Sequence, residues 1–220
     1  MVATYIWINI IIFLLGYWIG SINLGIIVSK IKGQDIRSVG SNNAGATNVL
    51  RIMGFKFAAT VFTFDLLKAY IPILIVSLCK KFINVDNAKH IIPLFIGLGA
   101  LIGHIFPIYF KFKGGKGVAC FFGITLGFHL YLFMIFVAIY VTIIAMTEYV
   151  SLASTITPII VSLLSIWSIF GTGVLGYMQV DIPINMHSII LSIATIFILL
   201  KHFKNFQRLL NKTENKLNLY

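Results

Sequence analysis

Charge is scarce in this sequence. Only 10% of its 220 residues are Asp, Glu, Lys or Arg, against about 25% in a soluble domain, which excludes an ordinary water-exposed globule. Acids are scarcer still, 6 against 17 basic residues. Cysteine is nearly absent: Cys79 and Cys120 sit in or beside apolar spans without motif spacing, which leaves no disulfide framework and no thiolate metal site. No cluster of His, Asp or Glu has metal-ligand spacing either, so no metal and no cofactor is expected. The N-terminal apolar segment lacks a basic n-region and runs directly into a polar loop, unlike a cleavable signal.

Apolar residues are abundant, at 59%. Several runs reach the roughly 20 residues of a bilayer span: Tyr5–Val28, Phe57–Cys79, Ile91–Phe110, Val118–Thr147, Leu152–Val174 and Ile184–Leu200. The net charge of +11 does not point to nucleic acid, because most basic residues flank these spans, where they set orientation. Three clusters stand out: Lys30, Lys32, Arg37, Arg51 and Lys56; Lys111, Lys113 and Lys116; and Lys201, Lys204, Arg208, Lys212 and Lys216. With all three in the cytoplasm, the N-terminus lies outside and the C-terminus inside. Lys80, Lys81 and Lys89 with Asp86, and Asp181 alone, mark the opposite loops.

Parity decides one segment. The run from Val118 to Thr147 would be about 45 Å as a single helix, too long for one crossing. A hairpin turning near Gly127–Phe128–His129 returns the chain to the basic side. The expected fold is therefore an all-α integral membrane protein, a bundle of seven transmembrane helices in a single domain over residues 1–220. Glycines 171, 173 and 176 with Pro183 break the stretch around 165–186 into an outer loop. The tail from His202 reads as an amphipathic segment for the inner membrane surface.

Four polar groups then share the cytoplasmic side: residues 40–51, 111–117, 148–154 and 202–208. In the first, Ser41 and Thr47 bring hydroxyls, Asn43 and Asn48 amides, and Arg51 a bidentate fork. Thr47 and Arg51 share a helical face, and the helix start favours an anion. A capped helix with Arg51 snorkelling to headgroups is the plainer alternative. In the second, Gly114, Gly115 and Gly117 permit close backbone approach to an oxyanion, and Lys116 adds charge. This is not a nucleotide loop, since residue 110 is Phe and Gly117 stands where Ser or Thr would bind magnesium. Ser151 and Ser154 share a face, as do His202 and Asn205; helix packing would also explain the serines. Within the second span, Asp65 and Lys68 are spaced for an ion pair. His104, before Phe106-Pro107, reads as structural.

These residues resemble the bacterial integral-membrane glycerol-3-phosphate acyltransferases that use acyl phosphate. The matching pieces are Gly20-Ser-Ile, Ser41-x-Asn43-x-Gly45-Ala-Thr-Asn48-x-x-Arg51, Phe57 through Asp65-Leu-Leu-Lys68, and Gly103-His104-x-Phe106-Pro107. Phe112-Lys-Gly-Gly-Lys-Gly-Val118, Tyr149-Val-Ser-Leu-Ala-Ser154 and His202-x-x-Asn205-x-x-Arg208-Leu complete the set, which covers nearly the whole chain. Departures are Asn42 for a usual glycine, Cys120 for threonine, Asn23-Leu24 for Pro-Phe, and a longer 165–186 segment. None removes a reactive group.

The resemblance implies transfer of a fatty acyl group to the 1-hydroxyl of sn-glycerol 3-phosphate, giving lysophosphatidic acid and inorganic phosphate at the bacterial inner membrane. Its implied partners are acyl phosphate, glycerol 3-phosphate and membrane lipid. Ser41, Arg51 and Lys116 would hold phosphate with backbone donors from Gly114, Gly115 and Gly117, while His202 and Asn205 position the acceptor. Asn43, Thr47, Asn48, Ser151 and Ser154 complete the expected substrate-binding set. A donor on coenzyme A or carrier protein would call for His-x-x-x-x-Asp, and the residues five after each histidine are Phe95, Tyr109, Met134, Ser192 and Gln207. The rival from another class is a transporter of phosphorylated solutes, which the Asp65–Lys68 pair suits but which lacks a visible inverted repeat.

Overall fold

The computed structural model describes residues 2–80, 82, 90–167, 170 and 184–217. Among them, all regular structure is helical. Ten α-helices follow in order: α1 Val2–Gly20, α2 Leu24–Ile31, α3 Ala46–Met53, α4 Phe55–Lys80, α5 Leu94–Ile105, α6 Val118–Phe128, α7 Leu130–Thr147, α8 Val150–Leu164, α9 Ile184–Lys201 and α10 Phe203–Leu210. Single 3-10 turns sit at Ile36–Ser38 and Ile108–Phe110.

Among the described residues three stretches are long and apolar enough to cross a bilayer: Tyr5–Ile31, Phe55–Lys80 and Leu130–Thr147. A fourth is the pair Met186–Lys201 and Phe203–Leu210 if its 54° bend is counted within one span. Leu94–Phe110, Val118–Phe128 and Val150–Leu164 are apolar but shorter. The expected hairpin is present: the chain breaks at His129, extended at φ −158°, between α6 and α7. Residues 171–183, with Lys81, Asp86 and Lys89, lie outside the described residues.

The first expected span is not one helix. It breaks at Ser21–Asn23, where Asn23 caps α2 by accepting the Ile26 N–H at 3.3 Å. That break frees the Ile22 carbonyl for use elsewhere. The third span is shorter than its apolar run because Pro93 begins α5 and Phe106-Pro107 ends it.

Glycines set the closest helix pair. A Cβ at Gly16 or Gly20 of α1 would collide with the Ile96 or Ala100 backbone of α5, and one at Gly99 or Gly103 with that of Phe13 or Tyr17. Reciprocal small residues four apart let two membrane helices touch backbone to backbone. The main core then fills the space among α4, α5, α6, α7 and α9, with Leu101, Ile105, Phe121, Phe128, Phe136 and Leu191 fully buried. A smaller cluster of Ile26, Ile36, Ala44, Val49, Ala58 and Val61 lies beneath the first polar loop. It fastens that loop to α2 and α4.

Candidate active site

The first polar loop is shaped by Asn48. Its side chain is 1% exposed; Oδ1 accepts the Ser41 N–H at 2.8 Å, and Nδ2 donates to the carbonyls of Ile36, Val39 and Asn43, each at 3.0 Å. These bonds run to the backbone of the loop, so Asn48 acts here as a clamp. Held by that clamp, Ser41, Asn43, Thr47 and Arg51 line a common cavity.

The second loop is pinned from two sides. Arg37, paired to Asp35 at 2.7 Å, donates through Nη1 to the Phe110 and Lys113 carbonyls, both at 3.1 Å. The N–H groups of Gly114 and Gly115 donate to the Ile105 and His104 carbonyls, at 3.3 and 3.1 Å. Both N–H groups are thus engaged within the protein. A Cβ at Gly114 would strike the His104 carbonyl, and one at Gly115 the His104 ring. Glycine is needed here for contact with the end of α5. Gly117 sits at φ +88°, a left-handed geometry that glycine adopts freely, and lines the cavity beside Lys116.

Lys116 donates to Asn205 Oδ1 at 2.6 Å. Asn205 in turn donates through Nδ2 to Glu214 Oε1 at 2.6 Å, and Arg208 Nε reaches Glu214 Oε2 at 2.6 Å. Glu214 was not singled out in the sequence: it stands in a polar tail without periodicity, and only the fold buries its side chain, to 5% exposure. The tail 211–217 is a strap. Arg51 donates to the Asn215 carbonyl at 3.2 Å, Lys216 pairs with Glu148 at 3.0 Å, and the Leu217 N–H donates to the Glu148 carbonyl.

His202 is buried and its Nδ1 lies 2.8 Å from the Ile198 carbonyl. A carbonyl only accepts, so Nδ1 carries the proton and Nε2 presents a lone pair. From α8, Ser151 and Ser154 line the cavity, with Ser154 Oγ 3.2 Å from the Tyr140 hydroxyl.

The floor is ionic. Lys68 and Asp65 form the expected pair at 2.7 Å, with side chains 2% and 1% exposed. Lys68 also donates to the Ile22 carbonyl at 2.8 Å and lies 3.0 Å from His104 Nδ1. Asp65 and His104 both line the cavity, so His104 belongs to the site as well as to the frame.

The cavity holds about 90 Å³ and also touches Phe62, Val118, Ala119 and Tyr140. It meets a wider groove of about 790 Å³ that shares Ser41, Asn43, Lys116 and Asn205. Gly114 and Gly115 line this groove together with Arg37, Lys113, Lys204 and Arg208. All four polar groups of the sequence thus converge on one place.

Electrostatics follow from that crowding. Burial pushes Lys116 down to about 8; Glu214 opposes the shift, while Arg208 and Arg51 add to it. Burial, with Lys116 nearby, pushes His202 down to about 3, so its imidazole is neutral at any physiological pH. For Glu214 burial raises the carboxyl, but hydrogen bonds from Arg208 and Asn205 outweigh it and leave it below the usual glutamate range. Among the described residues no group of three or more His, Cys, Asp or Glu could hold a metal ion.

The chain is similar to known proteins in sequence and in fold. The glycerol-3-phosphate acyltransferase family matches residues 10–212. A glycerol-3-phosphate acyltransferase of Mycoplasmopsis agalactiae is 41% identical over 227 residues, covering 95% of this chain and 94% of that protein. The crystal structure of PlsY (YgiH), an integral membrane glycerol 3-phosphate acyltransferase, in its glycerol 3-phosphate form superposes with a TM-score of 0.78 at 32% identity, covering 96% of each chain. Its lysophosphatidic acid form superposes with a TM-score of 0.75 at 31% identity, covering 94% of each.

Proposed function

This chain belongs to the glycerol-3-phosphate acyltransferase family, and on that premise we propose that it moves a fatty acyl group from acyl phosphate to the 1-hydroxyl of sn-glycerol 3-phosphate. The product is lysophosphatidic acid, and inorganic phosphate leaves. One observation carries the reading: a guanidinium, an ammonium and a serine hydroxyl, from Arg51, Lys116 and Ser41, meet in a cavity with the apolar wall of Phe62, Val118 and Ala119. The cations suit the anionic heads, and the apolar wall suits the beginning of an acyl chain.

The acceptor hydroxyl attacks the acyl carbonyl carbon and the carbonyl–phosphate C–O bond breaks. The hydroxyl proton passes to the departing phosphate, so charge and atoms balance without a protein base. A strongly depressed His202 is a poor base but a good hydrogen-bond acceptor; its Nε2 accepts from the non-attacking hydroxyl of the glycerol and so orients the acceptor. Asn205, its amide fixed by Lys116 and Glu214, holds the acceptor beside it. Arg51 and Lys116 bind phosphate and stabilise charge as it develops. Ser41, Asn43 and Thr47, with Gly117, Ser151 and Ser154, shape the rest of the pocket. Gly114 and Gly115 fix the loop that carries Lys116.

The chain works as a single domain in the bacterial inner membrane, with seven membrane-inserted segments. The N-terminus is outside, and the C-terminus and active site face the cytoplasm. Support comes from basic residues at the cavity end and from the break at His129. Purified protein in detergent is expected to release phosphate from acyl phosphate only when glycerol 3-phosphate is added. Equal release without the acceptor, or turnover restricted to acyl-coenzyme A or acyl carrier protein, overturns the reading.

A further inference from the structure

The floor of the cavity holds a group that the phosphate chemistry leaves unused. His104 ends α5 and is 2% exposed. An ammonium donates and has no lone pair. Lys68 donates to the Ile22 carbonyl at 2.8 Å and lies 3.0 Å from His104 Nδ1, and it is ion-paired with Asp65 Oδ1 at 2.7 Å. Asp65 Oδ1 lies farther from the same ring nitrogen, at 3.3 Å. Because the ammonium can only donate, Nδ1 is the acceptor of its contact with Lys68. The imidazole is then neutral with its proton on Nε2, and Nε2 has no hydrogen-bond partner among the described residues.

The surroundings select what such a donor would meet. Asp65 lies ten residues along α4 from Phe55, about 15 Å into the bundle, beside the apolar wall and below the cations of the rim. The Asp65–Lys68 pair is neutral as a unit, so the floor offers a phosphate dianion no net positive charge, unlike the part of the cavity lined by Arg51 and Lys116. A single neutral N–H suits a carbonyl oxygen that becomes an oxyanion during acyl transfer.

We propose that His104 is a further catalytic residue, held as its Nε2–H tautomer by Lys68, that donates a hydrogen bond to the acyl carbonyl oxygen on the cavity floor. This rests on the acyl-transfer reading above. Lys68 and Asp65 are positioning residues for it, with the helix break at Ile22 supplying the third anchor.

The test pairs His104→Phe, which keeps the ring shape without a donor, with His104→Gln, whose amide places an N–H near the Nε2 position. In the acyl phosphate assay, His104→Phe is expected to lower kcat about 100-fold, the scale of losing one such donor. KM for glycerol 3-phosphate should stay within about threefold, and His104→Gln should recover at least about tenfold of the loss. A folded His104→Phe with near wild-type kcat, or a folded His104→Gln as inactive as the phenylalanine variant, overturns the assignment. Should neither variant fold, nitrogen-15 spectra of the wild-type histidines decide. Nε2 of His104 should be protonated and should shift when an acyl phosphonate binds; an unprotonated or unmoved Nε2 overturns it. An inactive wild type would instead sink the acyl phosphate reading and leave the tautomer to the spectra.

Discussion

Lys116 keeps its charge against its surroundings. Burial brings it down to about 8, so in the empty site the ammonium fades as pH rises through that value. Because phosphate binding needs the cation, kcat/KM should fall above about pH 8, and Lys116→Arg should move this limb upward because guanidinium stays protonated. Stability runs the other way. Between about 8 and the ordinary lysine value, the unfolded chain binds the extra proton, so the substrate-free protein should gain stability with rising pH. The melting temperature of Lys116→Met should lack that rise. At Arg51, replacement by Ala should reduce kcat/KM on the order of 100-fold, with steady-state phosphate release as the measurement. Such residues were legible because Ser, Thr, Asn and Arg in a polar run beside lipid suggest a ligand. Asn48 was not, since a carboxamide that clamps a loop and one that binds substrate look identical in sequence.

At the scale of elements, the two polar loops are held by different devices, and each can be undone separately. Asn48→Ala removes the centre of the first loop and leaves buried backbone groups unpaired, at about 1–3 kcal/mol for such a loss. A lower melting temperature and a parallel loss of activity are expected, read by thermal unfolding in detergent. The second loop depends on contact with α5. Along the α1–α5 seam, Gly99→Leu should disrupt backbone contact with Phe13; overpacking costs about 1–3 kcal/mol or more, visible as a broadened or shifted gel-filtration peak. The hairpin at His129 could be foreseen from length alone, because one 118–147 helix exceeds a bilayer. The break at Ser21–Asn23 could not, since Asn23 inside an apolar run gives no periodic signal and acts through a local cap. Glu214 stayed hidden for a related reason: nothing in a charged tail indicates which side chain the fold will draw inward.

For the molecule as a whole, the polar loops share one end of the bundle. Exposed positions Asn42, Lys113 and Lys204 lie in those segments. Replaced one at a time by cysteine, they should react with a membrane-impermeant thiol reagent only when the cytoplasmic face is open. Labelling of any one from outside would break the proposed topology. Convergence of the motifs was legible from the distribution of lysine and arginine, but the depth of the site was not. That depth depends on Asp65, Lys68 and His104 meeting across α4 and α5, and pairing between distant helices leaves no spacing rule in the sequence.

The strap at 211–217 has a practical consequence for anyone handling the protein. Its carboxylate and backbone fasten Arg51, Asn205, Arg208 and Glu148 from three separate stretches of chain, so whatever is fused just behind it tugs on the reaction centre. An affinity handle attached there without a flexible spacer, or a trimmed terminus that loses residue 214, would yield material that inserts yet turns over poorly. A purification tag is better placed on the opposite terminus.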